Sequence, residues 1–144
     1  MTGRRENYPF PHRGGYKQGF LPNRSREKMN RDLQHLYESW KALYLTTEGC
    51  LEGELRLSGG NCYQFGTCSE GTGYGMLLSV YMAHAQNHAH DAFDSLFRYY
   101  KTHRLPDCGL LRWQAARTGK DLLEYFAPDG DLDVAFSLFS SSRP

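Results

Sequence analysis

The sequence predicts an all-α fold assembled from helical hairpins, and three observations carry that expectation. Apolar residues recur every three or four positions in two segments and fill nearly every face of a third. The connections between these segments are long, irregular and rich in aromatic residues, as in packed helical hairpins. A fourth stripe begins near Asp131 and stops almost at once in Ser140-Ser-Ser-Arg-Pro144, which predicts an unfinished helical architecture.

Residues 1–24 carry Pro9, Pro11, Pro22 and the Gly14–Gly15 pair, which predicts an extended N-terminal arm ahead of a unit spanning 25–144. Basic residues gather before residue 27, with Arg4, Arg5, Arg13, Lys17, Arg24 and Arg26 against Glu6 alone, a pattern read as a solvated N-terminal arm. From Ser25 to about Tyr44 the positions Met29, Leu33, Leu36, Trp40 and Leu43 follow a helical stripe, with Ser25 as N-cap and Glu27 in the first turn. Leu55-Arg-Leu57 and Cys62-Tyr-Gln-Phe65 flank Ser58-Gly59-Gly60-Asn61, which predicts a short β-hairpin near 54–66.

A second helix is expected from Glu70 to about Ala85, apolar all round as if walled in on both sides. The third, from about Asp91 to Thr102, buries Phe93, Leu96, Phe97 and Tyr100. A loop through Pro106, Asp107 and Gly109 leads to Leu110-Leu-Arg-Trp113. The last helix then presents Leu132, Ala135, Phe136 and Phe139 on one side.

A chain of 144 residues with 40% apolar content supplies one ordinary core. Its formal charge of +1 provides no global attraction to nucleic acid or an anionic membrane. No apolar run approaches the ~20 residues of a membrane span, and MTGRRENYPF lacks the apolar core of a secretory signal. Ten Tyr, eight Phe and two Trp are many for this length, and planar rings with polar tips also suit sugar faces. Cysteines stand at 50, 62, 68 and 108 with no C-x-x-C pair, which argues against a zinc ribbon and leaves disulfides and plain thiols open.

The most informative stretch is Cys68-Ser-Glu70-Gly-Thr-Gly-Tyr-Gly-Met76. Glycine costs about 1 kcal/mol relative to Ala inside a helix, so three in the opening turns need a reason beyond stability. They let something approach the backbone closely, either a neighbouring element or a ligand. The spacing Gly71-x-Gly73-x-Gly75 misplaces the third glycine of a dinucleotide fingerprint, and no Lys follows as in a phosphate-binding P-loop. Glu70 is thus a carboxyl set where side chains have been cleared away. Asp129-Gly-Asp131-Leu-Asp133 resembles a calcium loop only superficially, because Val134 stands where Gly is needed and Ser140 where Glu is needed. It reads as an acidic helix start from which one aspartate joins Glu70 in a cleft. His84, His88 and His90 fall at a helix corner without an H-E-x-x-H pattern and are assigned to solvent rather than to a metal.

Together these pieces resemble glycoside hydrolase family 8, the cellulase, licheninase, xylanase and chitosanase family. Tyr8-Pro-Phe-Pro11, Gly19-Phe-Leu-Pro-Asn23 and Trp40-Lys-Ala-Leu-Tyr44 look like its opening. Ser69-Glu-Gly-Thr-Gly-Tyr-Gly-Met76 matches its S-E-G-x-G-Y-G-M segment. Phe93-Asp-Ser-Leu-Phe-Arg-Tyr99 and Gly109-Leu-Leu-Arg-Trp113 follow in order. Ala127-Pro-Asp-Gly-Asp-Leu-Asp-Val-Ala135 is similar to the signature A-S/T-D-A/G-D-x-x-I/M-A, with Pro128 and Val134 as departures.

The resemblance implies an incomplete (α/α)6 toroid of helical hairpins that cleaves internal β-1,4-linked glycans with inversion. No cofactor or metal is implied, the partner is a polysaccharide, and the implied location is extracellular or periplasmic. Glu70 matches the proton donor and Asp129 the aspartate that contacts the sugar at the cleavage point. Trp113, Tyr74 and Asp131 are the candidate substrate contacts, Trp113 as a sugar platform. The family's catalytic base comes from later in its fold, beyond residue 144, so the 144 residues alone are expected to show little activity. The rival expectation is a non-catalytic glycan-binding or vestigial module. Inversion requires one protonated carboxyl at the leaving oxygen, which partial burial and a carboxylate neighbour favour and a helix N-terminus opposes.

Overall fold

A computed structural model describes residues 9–11, 15, 17, 19–59 and 66–141. Four helices dominate: α1 (Arg26–Tyr44), α2 (Ser69–Tyr81), α3 (Ala89–Thr102) and α4 (Pro128–Ser141). Two small antiparallel ladders join them. Strand β1 (Leu45–Thr46) pairs with β2 (Arg56–Leu57), and β3 (Thr67–Cys68) pairs with β4 (Gln114–Ala115). The basic residues Arg4, Arg5 and Arg13 of the expected arm lie outside the described residues.

Helix α1 starts as its sequence requires, with the Ser25 hydroxyl accepting the Lys28 N–H at 3.3 Å and Glu27 in the first turn. Its expected buried stripe is displaced. Tyr37 is the buried residue of this helix, Trp40 is half-buried, and Leu33, Leu36 and Leu43 remain 45%, 65% and 71% exposed. The cause is the neighbour available to it. Tyr37 and Trp40 reach a cluster of Phe10, Met82, Ala83 and Ala89, while the leucine face meets none of the buried clusters.

Helix α2 ends at Tyr81 rather than near Ala85, because the chain turns sharply through residues 82–88. Asn87 holds that corner, donating to Met82 O at 2.6 Å and accepting from the N–H groups of His84 and Ala89. His88 sits there in the left-handed region at φ 54°, and α3 begins two residues earlier than expected. Helix α4 likewise begins at Pro128, three residues before Asp131. Proline suits the first helical position, where its missing N–H is no loss.

Helix α2 is walled in by α3 and α4, with Met76, Leu96 and Val134 at the centre of the core. Two of its glycines serve that packing. A Cβ at Gly73 would lie 2.7 Å from Asp133 Cβ and 2.8 Å from Gly130 O, and one at Gly75 would crowd Leu57 and Leu96. Gly130 in turn leaves room for Ser69, 2.7–2.8 Å from where its own Cβ would stand. The starts of α2 and α4 therefore meet.

Part of the predicted hairpin near 54–66 falls on residues that the structure does not describe. Its first arm forms β2, but the ladder partner is β1, upstream in the chain. The second arm, Cys62-Tyr-Gln-Phe65, lies outside the described residues, whose two ends are tied by the Gly59 N–H donating to Gly66 O at 2.8 Å. Arg56 on β2 is 0% exposed and donates to Glu48 O and Gly66 O, each at 2.7 Å, and to Arg117 O at 3.3 Å. It also pairs with Glu48 Oε2 at 3.1 Å.

Replacing Arg56 by Met removes the donor shared by three loop carbonyls, of which that of Gly66 is buried, and an unsatisfied buried group costs about 1–3 kcal/mol. Arg56→Met is expected to lower the stability by about 1–3 kcal/mol, read as a drop in urea midpoint at unchanged m-value. Gly73→Ala is expected to cost about 1–3 kcal/mol through overpacking against α4, and an unaltered midpoint would contradict the close approach described here.

Candidate active site

Glu70 occupies the first turn of α2, immediately after β3 turns into the helix. Its carboxylate accepts three hydrogen bonds. The Trp113 indole N–H donates to Oε1 at 3.0 Å and Oε2 at 3.2 Å, and the Ser69 hydroxyl donates to Oε2 at 3.1 Å. The backbones are linked as well, with the Ser69 N–H donating to Trp113 O at 2.9 Å. Side chain and main chain thus fasten residues 69–70 to residue 113 from both sides.

Trp113 is itself held. Its backbone N–H donates to Tyr125 O at 2.9 Å, and its ring lies 5.5 Å from that of Tyr125 at 35°. Next to it, Arg112 pairs with Asp121 at 3.2 Å and Glu124 at 3.1 Å. His103 Nδ1 lies 2.6 Å from the other oxygen of Asp121, and the His103 ring stacks on Tyr99 at 4.1 Å. The strip carrying Trp113 therefore rests on an ionic network rooted at the end of α3.

Glu70 opens onto a cleft of about 620 Å³ whose wall includes Trp40, Tyr44, Tyr74, Trp113 and Asp129. Gly71 also lines it. A Cβ there would stand 3.5 Å from Leu57, an ordinary contact, so of the three glycines this one borders open space rather than a helix. Asp129 reaches the cleft because α4 begins at Pro128 and approaches α2 through Gly130.

Of the residues singled out from the sequence, Glu70, Asp129, Trp113 and Tyr74 border one cleft, and Asp131 does not. Asp131 is buried, with Oδ1 accepting the Leu111 N–H at 3.0 Å. One helical step of two residues carries it away from Asp129 and toward the residue 111 strip. It fastens α4 to the strip that leads to Trp113. Trp113, expected as a sugar platform, combines a ring on the cleft with an N–H on the acid.

The sequence marks Trp40 as part of a helical stripe and both Trp40 and Ser69 as parts of family-like segments, with no site role for either. The signal for Trp40 and Tyr44 is their separation by four residues, one turn apart on one face of α1. His84 and His88 do not converge, since His84 Nδ1 accepts the Gln86 N–H and His88 pairs with Asp91 at 3.1 Å. Cys50, Cys68 and Cys108 are free thiols, and Cys62 lies outside the described residues. Burial pushes the Cys50 and Cys68 thiols up.

Burial also pushes the Asp131 carboxyl above its ordinary value of 3.8, against the pull of the Leu111 N–H and the Tyr100 hydroxyl. The folded chain then keeps a proton that the unfolded chain has released. Stability falls as pH rises from 3.8 through the folded value, and the penalty is complete above it. Asp131→Asn keeps the acceptor for Leu111 and lacks the ionisation. The difference in Tm, variant minus parent, is expected to be more positive at pH 7 than at pH 3. A difference that does not change with pH would sink this account.

Comparison with known proteins places these features in a family. A sequence model of glycosyl hydrolases family 8 matches residues 25–143. A β-glucanase of Niallia circulans is 33% identical over 142 residues, 95% of this chain and 34% of that protein. An endoglucanase of Bacillus sp. strain KSM-330 is 36% identical over 151 residues, 96% of this chain and 32% of that protein. The solved apo structure of a β-1,3-1,4-glucanase from Paenibacillus sp. X4 superposes with a TM-score of 0.82 at 31% identity, covering 94% of this chain and 36% of that one. The chain spans about a third of the length of the curated relatives it matches.

Proposed function

This chain belongs to glycosyl hydrolase family 8, and from that premise we propose that its cleft binds a β-1,4-linked glucan and that Glu70 protonates the departing glycosidic oxygen. The observation that carries this reading is the Glu70 carboxylate itself, held by Trp113 and Ser69 at the wall of an aromatic-lined cleft. A general acid must be presented at a fixed angle to the leaving oxygen, and three hydrogen bonds from two anchored residues supply that rigidity.

The rest of the mechanism follows from what inversion needs. A second carboxylate activates water on the opposite face of the sugar, roughly 6.5–9.5 Å from the acid. That base is proposed to come from outside these 144 residues. Asp129 contacts the sugar at the cleavage point, and the rings of Trp113 and Tyr74 meet sugar faces. Residues 25–144 are read as the first part of an (α/α)6 toroid, preceded by residues 1–24 as its N-terminal arm. Asp129 borders the cleft beside the proposed acid, and its carboxylate favours a neutral glycan over a uronic-acid polymer by simple repulsion. Polysaccharides do not cross membranes, so the proposed work belongs outside the cytoplasm.

The aromatic wall of the cleft, which would hold a sugar with or without chemistry, favours a second reading, a glycan-binding module without turnover. One experiment separates them. Residues 25–143 replace the matching third of the Niallia circulans β-glucanase, and reducing ends released from β-glucan are measured. The acid reading expects turnover by the hybrid, a loss of about 10²–10⁴-fold in its Glu70→Gln form, and unchanged binding of cello-oligosaccharides. A folded hybrid that binds without turnover favours the module. Equal turnover by the Glu70→Gln hybrid overturns the acid assignment. For the 144 residues alone, retention of β-glucan with little release of reducing ends is expected.

A further inference from the structure

The last two turns of α1 contribute Trp40 and Tyr44 to the lining of the cleft, and these aromatic residues have no part in the chemistry described so far. We infer that Trp40 and Tyr44 form a second glucosyl-binding platform, one sugar or more away from Glu70, that selects for longer chains. The inference rests on the glycan reading above and extends it from one site to an extended one.

Four observations support the platform. Trp40 and Tyr44 stand one helical turn apart, so their side chains share a face, and both border the cleft that holds Glu70. The Trp40 ring is pre-set, stacked on the buried Tyr37 ring at 5.8 Å and 15°. Tyr44 is fixed at its backbone, where the Ser58 N–H donates to Tyr44 O at 2.7 Å and Leu45 pairs with Leu57 in the adjoining ladder. Among the described residues neither the Trp40 indole N–H nor the Tyr44 hydroxyl has a hydrogen-bond partner, so both polar tips are free for sugar hydroxyls.

These are the properties a sugar platform needs. A pyranose presents an apolar C–H face with hydroxyls at its edge, which matches a flat ring carrying a polar tip. Rings already immobilised by packing lose little freedom when the sugar docks. The geometry also argues against a plain core role for Tyr44, which is 43% exposed at the end of its helix.

The test uses the intact 144-residue chain and titrates cellobiose and cellohexaose by calorimetry. The parent is expected to bind cellohexaose more tightly than cellobiose. Tyr44→Ala is expected to weaken cellohexaose about 3–10-fold while leaving cellobiose unchanged, so that the preference for length collapses. Trp40→Phe, which keeps most of the packing on Tyr37 but loses the indole N–H and ring area, is expected to act in the same direction. Melting curves and circular dichroism identify variants that still fold, and Tyr44→Ala, at an exposed position, keeps the test sound if Trp40→Phe does not. A parent that prefers cellohexaose and variants that prefer it equally would overturn the platform and leave the acid assignment standing. Equal weakening of both sugars would also overturn it, since a platform remote from Glu70 acts on long chains alone. A parent that binds neither sugar would overturn the platform together with the glycan reading beneath it.

Discussion

The buried guanidinium of Arg56 is the constraint on which the remainder of this arrangement depends. A fully buried cation must be given partners, and Arg56 finds them in three loop carbonyls that are distant in sequence, at residues 48, 66 and 117, besides the Glu48 carboxylate. Those carbonyls belong to the turn after β1, the entry to β3 and the turn after β4. Fastening them to one planar group fixes the two small ladders relative to each other. Ladders of two residues each have little stability of their own, so an external clamp is what keeps them in place. Because β3 leads directly into α2, the same clamp sets where Glu70 begins its helix.

From that point the glycines determine how closely the helices converge. Gly73 and Gly130 let α2 and α4 touch near their N-terminal ends, which brings Glu70 and Asp129 to one cleft although 58 residues of chain lie between them. The expectation that the glycines admit either an element or a ligand resolves by position. Gly73 and Gly75 admit helices and side chains of the core, while Gly71 borders the cleft. A single Gly-x-Gly-x-Gly stretch therefore serves the open site at its first glycine and helical packing at the other two.

What could be read in advance follows from the range of each interaction. Local signals were legible: the Ser25 cap, the acidic first turn of the last helix and the walled-in character of α2 all depend on neighbours within a few residues. Partners across the chain were not. The stripe of α1 looked like a core face, yet Leu33, Leu36 and Leu43 stay exposed because burial is decided by what packs alongside. Asp131 matched the pattern of a cleft residue, and only the position of the Leu111 N–H turned it inward. The strand over 56–57 was legible, while its pairing with β1 was not. Ser69 carried no local mark of its hydrogen bond to Glu70.

The reciprocal fastening between residues 69–70 and Trp113 has a thermal consequence. It is anchored in a ladder of two rungs, whereas the helices around it are 13 residues or longer. Short ladders fray at lower free-energy cost than packed helices, so warming loosens the seat of the carboxylate while the helical frame persists. Heat would then silence the site through a small regional melting, leaving ellipticity nearly intact, and cooling would restore it without refolding the chain.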